Sequence, residues 1–562
     1  MNNNEKYKIT SNEYADLIIA YNGNMDILES NPNYSYNLIN DKLAILHIPV
    51  NEITENGIYR FGYSSMPKCY GIMTYIQAEN VPGFTLHQLP SETLTGKGVI
   101  IGIVDTGIVY TMPVFQYPDK TSKIISIWDQ TIESNHNPNG YYYGTEYNRD
   151  QINTAINSDN PHNIVPSTDD IGEGTAMAGI AAAFYDQKKQ FAGDAINSEL
   201  VIVKLKPAKP YLKDFFGIPE DAICYQENDF MMGIKYLLAI ANRENRPIVI
   251  CTGIGSSQGS HTGNDIISNY LYEIGNLTGK AIIIPAGNEG NQNHHYYGEI
   301  IPPDYSNLVE LNIGPEDKNF TMELWGYPSD LLIIDIYAPS GELIYNIDMG
   351  NNVKNSFVIE YASAKIYVDY ILSEANSREK LFVFRFKNIQ EGIWKFRIST
   401  QNKLLSTFHI WLPISNFISN GTYFNNANPY TTICQPGNGL GIITASSYNP
   451  PQRTLDPFSS RGFNALNMPK PDITAPGVNI MAHTLNGTIA PFSGTSIATA
   501  HVAGIVAQYL EWGIVNGNLP NMNSTIVRYM ITNSANRLGT EIYPNANLGF
   551  GLIDNRIYLF QY

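Results

Sequence analysis

Four short runs of nearly unbroken apolar residues constrain this chain more than any other feature. They are GVIIGIVDTG from Gly98, ELVIVKLKPA from Glu199, RPIVICTGIG from Arg246 and KAIIIPAGNEG from Lys280. A strand with one wet face alternates apolar and polar residues. A strand that is apolar throughout must be covered on both faces, and parallel strands joined by helices are built that way. Helical stretches such as FMMGIKYLLAIAN, from Phe230, separate the last three runs. The expected architecture is an α/β fold in three layers, a parallel sheet between two sets of helices. The 562 residues are 43% hydrophobic and 15% charged, enough apolar material for a large core and too much for a disordered or fibrous chain.

The texture differs on either side. Residues 1–75 mix short alternating segments, LAILHIPV and GIYRFGYS, with a helical stretch expected over Glu13–Tyr21, and read as a small α+β unit. Residues 299–427 carry short strands at regular spacing, among them LVELNI, TMELWGY, LLIIDIYAP, AKIYVDYIL, KLFVFRFKN and FHIWLP. That pattern predicts an all-β sandwich or jelly roll inserted into the α/β domain. The α/β texture resumes with GLGIITASSYN and closes with a long helix beginning near Ser496. The expected division is 1–75, 76–298, the insert 299–427, and 428–562.

Lys and Arg number 35 against 52 Asp and Glu, a net charge of −17, which argues against nucleic acid or an anionic membrane as partner. The cysteines Cys69, Cys224, Cys251 and Cys434 have neither metal-ligand spacing nor the density of a disulfide framework, and read as isolated thiols. The opening MNNNEKYKIT lacks the charged and apolar regions of a secretory signal, and no apolar run approaches a membrane span. The expectation is a chain made on the cytoplasmic side. No cofactor and no metal site is expected.

Three stretches carry candidate chemistry. IVDTGI places Asp105 at a strand's C-terminal end. DDIGEGTAMAGIAAA, residues 169–183, opens a helix with a Gly-rich turn. SGTSIATAHVAGIVA, residues 493–507, starts another apolar helix at Ser496. PAGNEG adds Asn288 just past a strand. Ligand sites in open α/β sheets form at the C-terminal edge of the strands, where Asp105 and Asn288 fall. A serine at a helix start lies beside unpaired backbone N–H groups that can bind a developing oxyanion, and an Asn donor in such a site is worth about 3–4 kcal/mol of barrier.

This order of motifs resembles the subtilisin-like serine proteases, over roughly residues 95–300 and 428–555. The resemblance implies Asp105 as triad acid, Ser496 as nucleophile and Asn288 as oxyanion donor. It implies that Gly253, Ile254 and Gly255 line the substrate cleft. It also marks a departure. The family's middle motif reads Gly-His-Gly-Thr-His-Val-Ala-Gly, and here GEGTAMAG puts Glu173 where the base histidine belongs and Ala176 at the second histidine. A carboxylate, with a reference pKa near 4.3, is a far weaker base than imidazole, and beside Asp105 it is repelled or protonated. Losing a triad member removes several powers of ten in rate. The triad is therefore degenerate. Sedolisins use a Glu here, but with an Asp four residues on, where this chain has Met177, and with an Asp in place of Asn288. His162, in a loop eleven residues before Glu173, is the remaining imidazole to consider, and reads as a surface histidine.

The N-terminal unit resembles a subtilisin prodomain. The β insert and the string GIGSSQGSHTG, residues 253–263, resemble the Csp germination proteases of clostridial spores. That resemblance implies a spore protein and a pseudoprotease member that senses or relays germination signals. The implied partners are a sister Csp-type protease, the precursor of a cortex-lytic enzyme, or a small-molecule germinant. The alternative is an active serine endopeptidase using Glu173 as an atypical base. An inactive site cannot remove its own prodomain, so residues 1–75 are expected to stay attached, with part of Met66–Gln77 in the cleft.

Overall fold

The four apolar runs become the centre of a nine-stranded sheet. In this computed structural model, which describes residues 3–76, 83–84, 94–186, 191–348, 355–401, 405–539 and 541–554, Ile100–Asp105 lies between Ile248–Cys251 and Glu199–Lys204, parallel to both. Lys280–Pro285 and then Ile443–Asn449 extend the sheet on one side, and Ile124–Asp129 on the other, all in parallel. Ile473–Pro476 joins Ile443–Asn449 in parallel, and the short strands Thr454–Leu455 and Thr145–Asn148 add antiparallel edges. Side chains alternate between two cores. Ile101 and Ile103 face the helices Glu173–Ala182 and Thr495–Leu510, while Ile100 and Val104 face Glu227–Arg243 and Ile266–Gly275. The helix Thr495–Leu510 does not close the fold, since Ser524–Ser534 follows it.

The N-terminal unit is a three-stranded antiparallel sheet in the order Tyr14–Ala20, Leu43–Pro49, Ser35–Leu38. Here the expected helix over Glu13–Tyr21 is corrected. Tyr14–Ala20 is a strand, paired along its whole length with Leu43–Pro49. Its residues are buried on both faces: Ala15 and Leu17 meet the helix Pro210–Phe216, and Ile18 meets Met231 and its neighbours. A segment apolar on both sides gives no period to read, and β-branched Ile18 and Ile19 favour the strand. Asp16 pins the unit to the α/β body. Buried, it accepts from Lys209 Nζ at 2.9 Å, Gln226 Nε2 at 3.0 Å and the His47 ring at 2.7 Å. Burial alone would raise its pKa, but Lys209 and His47 outweigh burial and hold the carboxyl far below the ordinary range.

Between His295 and Phe424 the chain builds two antiparallel sheets, of six and five strands, face to face over an aromatic and aliphatic core. Three of these strands, His295–Ile300, Leu343–Asp348 and the two-residue Tyr423–Phe424, are absent from the sequence reading; Leu343–Asp348 is mostly solvent-facing and carries little apolar pattern.

Candidate functional site

The sheet's C-terminal edge and two helix starts bring Asp105, Glu173, Ser496 and Asn288 to one place, and a segment of the N-terminal unit lies among them. Cys69–Ile72 is the middle strand of a three-stranded antiparallel ribbon, between Tyr225–Gln226 and Ile254–Gly255. Ile72 pairs with Ile254 and Gly71 with Gly255, and the Met73 N–H donates to the Gly253 carbonyl at 2.8 Å. The three cleft residues named from the sequence thus hold one extended strand of this same chain.

The next group is the Met73 carbonyl. Its oxygen accepts from Asn288 Nδ2 at 2.9 Å, from the Ser496 hydroxyl at 3.0 Å and from the Ser496 backbone N–H at 3.4 Å. Asn288 is oriented for this by Thr495, whose N–H and hydroxyl both donate to Asn288 Oδ1 at 3.1 Å. Beyond Met73 the chain continues uninterrupted. The Thr74 hydroxyl donates to the Ser493 carbonyl at 3.1 Å, and Tyr75–Ile76 pairs with Phe492 and Ser493. Gln77 lies outside the described residues. Gly494 makes room for this crossing: a Cβ there would sit 2.1 Å from the Met73 oxygen, and its φ of +139° disfavours any side chain. The arrangement is that of an extended peptide bound on both sides of an intact Met73–Thr74 bond, its carbonyl polarised by oxyanion donors.

The groups that would break that bond are arranged differently. Asp105 and Glu173 are both fully buried. They face one another across Gly253, where a Cβ would come 2.7 Å from Asp105 Oδ2 and 2.8 Å from Glu173 Cδ. Asp105 Oδ1 accepts from the Thr106 N–H at 2.8 Å and Oδ2 from the Gly253 N–H at 2.7 Å. Even so, burial pushes it up to about 7. Glu173 Oε1 accepts from the Met73 N–H at 3.1 Å, and Oε2 has no partner. Burial, and then the Asp105 carboxyl, push Glu173 well above the usual carboxyl range. The ionised form, the one able to take a hydroxyl proton, is the form that burial and Asp105 disfavour. What Glu173 does instead is bind the backbone of the residue in the oxyanion hole.

His162 is not near this chemistry; it is exposed and packs edge-on against the Tyr110 ring. His501, in the serine helix, contacts Asp194 at 2.7 Å. Sequence reading missed Asp169. It is buried, and its carboxylate accepts from the N–H groups of Ile171, Gly172 and Thr175 and from the Thr175 hydroxyl. It fixes the start of the helix that carries Glu173. An Asp three residues before a Gly-rich helix start is a capping signal that could have been read. Asp170 is solvent-facing and pairs with Lys204. Among the described residues no group of three or more His, Cys, Asp or Glu side chains is placed to hold a metal ion, the four cysteines are buried free thiols, and no helix is long and apolar enough to cross a membrane.

A parallel sheet with an aspartate at a strand end, a serine at a helix start and an asparagine aimed at the same carbonyl defines the serine-hydrolase site of one α/β class. The Subtilase family model matches residues 96–309 and 333–551, and the chain belongs to that family. The solved structure of the Clostridium perfringens CspB protease superposes with a TM-score of 0.74 at 28% identity, covering 83% of this chain and 93% of that one. Among curated sequences, M-protease of Shouchella clausii (strain KSM-K16) is 38% identical over 84 residues, 15% of this chain and 19% of that protein. Subtilisin of Bacillus pumilus is 35% identical over 124 residues, 22% and 39% respectively. These curated matches thus span well under half of the relatives' length.

Proposed function

We propose that this subtilase is a pseudoprotease, which binds an extended peptide in its cleft without hydrolysing it and acts in bacterial spore germination as a regulatory or sensing protein. The observation that carries the reading is Glu173. It occupies the base position, is fully buried with its ionised form disfavoured, and accepts from the Met73 N–H. The N-terminal unit then remains covalently attached and keeps residues 69–76 in the cleft. The partners that fit are a sister Csp-type protease, the precursor of a cortex-lytic enzyme, or a small-molecule germinant. The similarity to the CspB protease supports the spore setting.

The test is the chain's own bond. The purified wild type should show one intact mass, no Ser496 label with a fluorophosphonate, and no peptide cleavage from pH 3 to 8. Glu173→His restores the missing imidazole between Asp105 and Ser496, and should cut the chain between Met73 and Thr74. Peptide turnover by the wild type, abolished by Ser496→Ala, would overturn the proposal.

A further inference from the structure

Outside the cleft, all three parts of the chain converge on one cavity. Tyr63, Ser64, Lys68 and Tyr70 come from the N-terminal unit and its strand. Glu227, Gln258, Asp265 and Gln435 come from the α/β body, and Trp325 and Glu374 from the β insert. Counted to its mouth, the cavity has about 370 Å³ of free space, and its inner part has room for a water-sized group.

Three polar atoms at this cavity have no partner. They are the Tyr70 hydroxyl and both side-chain heteroatoms of Gln435, the amide oxygen and nitrogen. The two residues are only 1% and 2% exposed. A buried polar group left unpaired is costly, so a cluster of three marks a place where a polar ligand gains more than it would elsewhere. The carboxyls of Glu227, Asp265 and Glu374 outnumber the single ammonium of Lys68 on the wall. That ammonium is already engaged, donating to the carbonyls of Tyr63 and Met66 at 2.8 and 2.5 Å. Asp265 is spent on capping its helix through Ser268, and Glu374 on the N–H groups of Asn376 and Ser377. Glu227 gives Oε2 to the Lys68 N–H at 2.9 Å.

We propose that this cavity binds a small protonated amine, its ammonium held by the Tyr70 hydroxyl oxygen, the Gln435 amide oxygen and the Glu227 carboxylate. The excess of carboxyls selects a cation over an anion. The narrow inner end selects a compact head group, and the Gln435 amide nitrogen can donate to an acceptor carried on the same ligand. A cation that donates directed hydrogen bonds satisfies fixed oxygen acceptors better than a spherical alkali ion does. Burial pushes the Glu227 carboxyl up to about 7, so seating an ammonium there expels a proton from it near neutral pH. The biological meaning of the site as a germinant receptor rests on the function proposed above; the binding itself does not.

The test uses the full chain with ammonium chloride, methylamine and glycine as probes, and potassium chloride and sodium acetate at matched ionic strength as controls. Calorimetry at pH 7 should show saturable binding of at least one amine, with an enthalpy that varies with the buffer's ionisation enthalpy as a proton is released. Gln435→Leu should weaken binding at least tenfold, and Tyr70→Phe should weaken it several-fold while leaving the fold intact. Equal stabilisation by potassium, or no saturable heat with any amine up to 50-fold above the protein's concentration and into the millimolar range, would overturn the proposal. Amine binding that persists in a chain found to hydrolyse peptides would leave this site standing and remove only the pseudoprotease reading.

Discussion

Replacing Glu173 with Gln tests the electrostatics of the site without adding a catalyst. In the native chain the Asp105 carboxyl is pushed from 3.8 to about 7 and Glu173 is raised well above 4.5, both first by burial. Raised carboxyls make the folded state bind more protons than the unfolded chain. Their contribution to stability is therefore complete below about pH 4 and is lost as pH rises through the folded pKa. Each unit of displacement is worth about 1.4 kcal/mol, so Asp105 alone accounts for about 4 kcal/mol between pH 4 and 7. Gln at 173 keeps an oxygen for the Met73 N–H. It places an amide where Oε2 now lacks a partner, on the side of Asp105. It removes one buried acid and stabilises the ionised form of the other. The variant should match the wild type near pH 4 and exceed it at pH 7.5 by about 1–3 kcal/mol, the usual worth of an unpaired buried polar group. For a chain of this length that is about 1–3 °C in Tm. Differential scanning calorimetry at half-unit steps from pH 4 to 8 reads it directly. A variant less stable than wild type at pH 7.5, or an offset independent of pH, would refute the reasoning.

Two other substitutions address how the N-terminal segment is held. Gly494→Ala puts a methyl group 2.1 Å from the Met73 oxygen. It should expel residues 73–76 from the site, seen as loss of hydrogen-exchange protection at Met73 and Ile76; unchanged protection would show that the crossing does not depend on that glycine. Asp16→Ala removes the acceptor shared by Lys209, Gln226 and His47 and leaves a buried ammonium unpaired. A loss of about 3–5 kcal/mol is expected, with faster proteolysis within residues 3–65 than in the α/β body; uniform protection would place the docking energy elsewhere.

The parts of the fold that were legible in the sequence are those where burial on both faces writes a continuous apolar run. The strands beginning at Ile100, Glu199, Ile248 and Lys280 are all of this kind. The same property hid Tyr14–Ala20, because a short segment buried on both sides looks alike as helix or strand. The four candidate residues Asp105, Glu173, Asn288 and Ser496 were legible because each is fixed by short-range context, a strand end or a helix start. What no local pattern carries is the ribbon through the cleft. Its pairings join Gly71 to Gly255 and Tyr75 to Ser493, far apart in the chain, and its own residues, CYGIMTYI, have no distinctive periodicity. Two adjacent acids carry no local sign of which one faces in; Asp169 is bound to the start of its helix and Asp170 faces solvent.

In the cleft, the contacts that would seat a substrate strand hold a strand of this same chain. A bound substrate strand gains ladder hydrogen bonds on both edges and donors on its carbonyl, and in a working protease that gain is dissipated when the bond breaks and the primed half departs. Here the strand is tethered to the domain that docks beside it, so its effective concentration is high and its dissociation is followed by immediate return. Glu173 adds a further acceptor to the Met73 N–H. If Glu173 supplies no proton shuttle, as proposed above, the contacts that favour turnover in an intact triad all favour retention. A partner that works through this cleft must compete with an intramolecular strand.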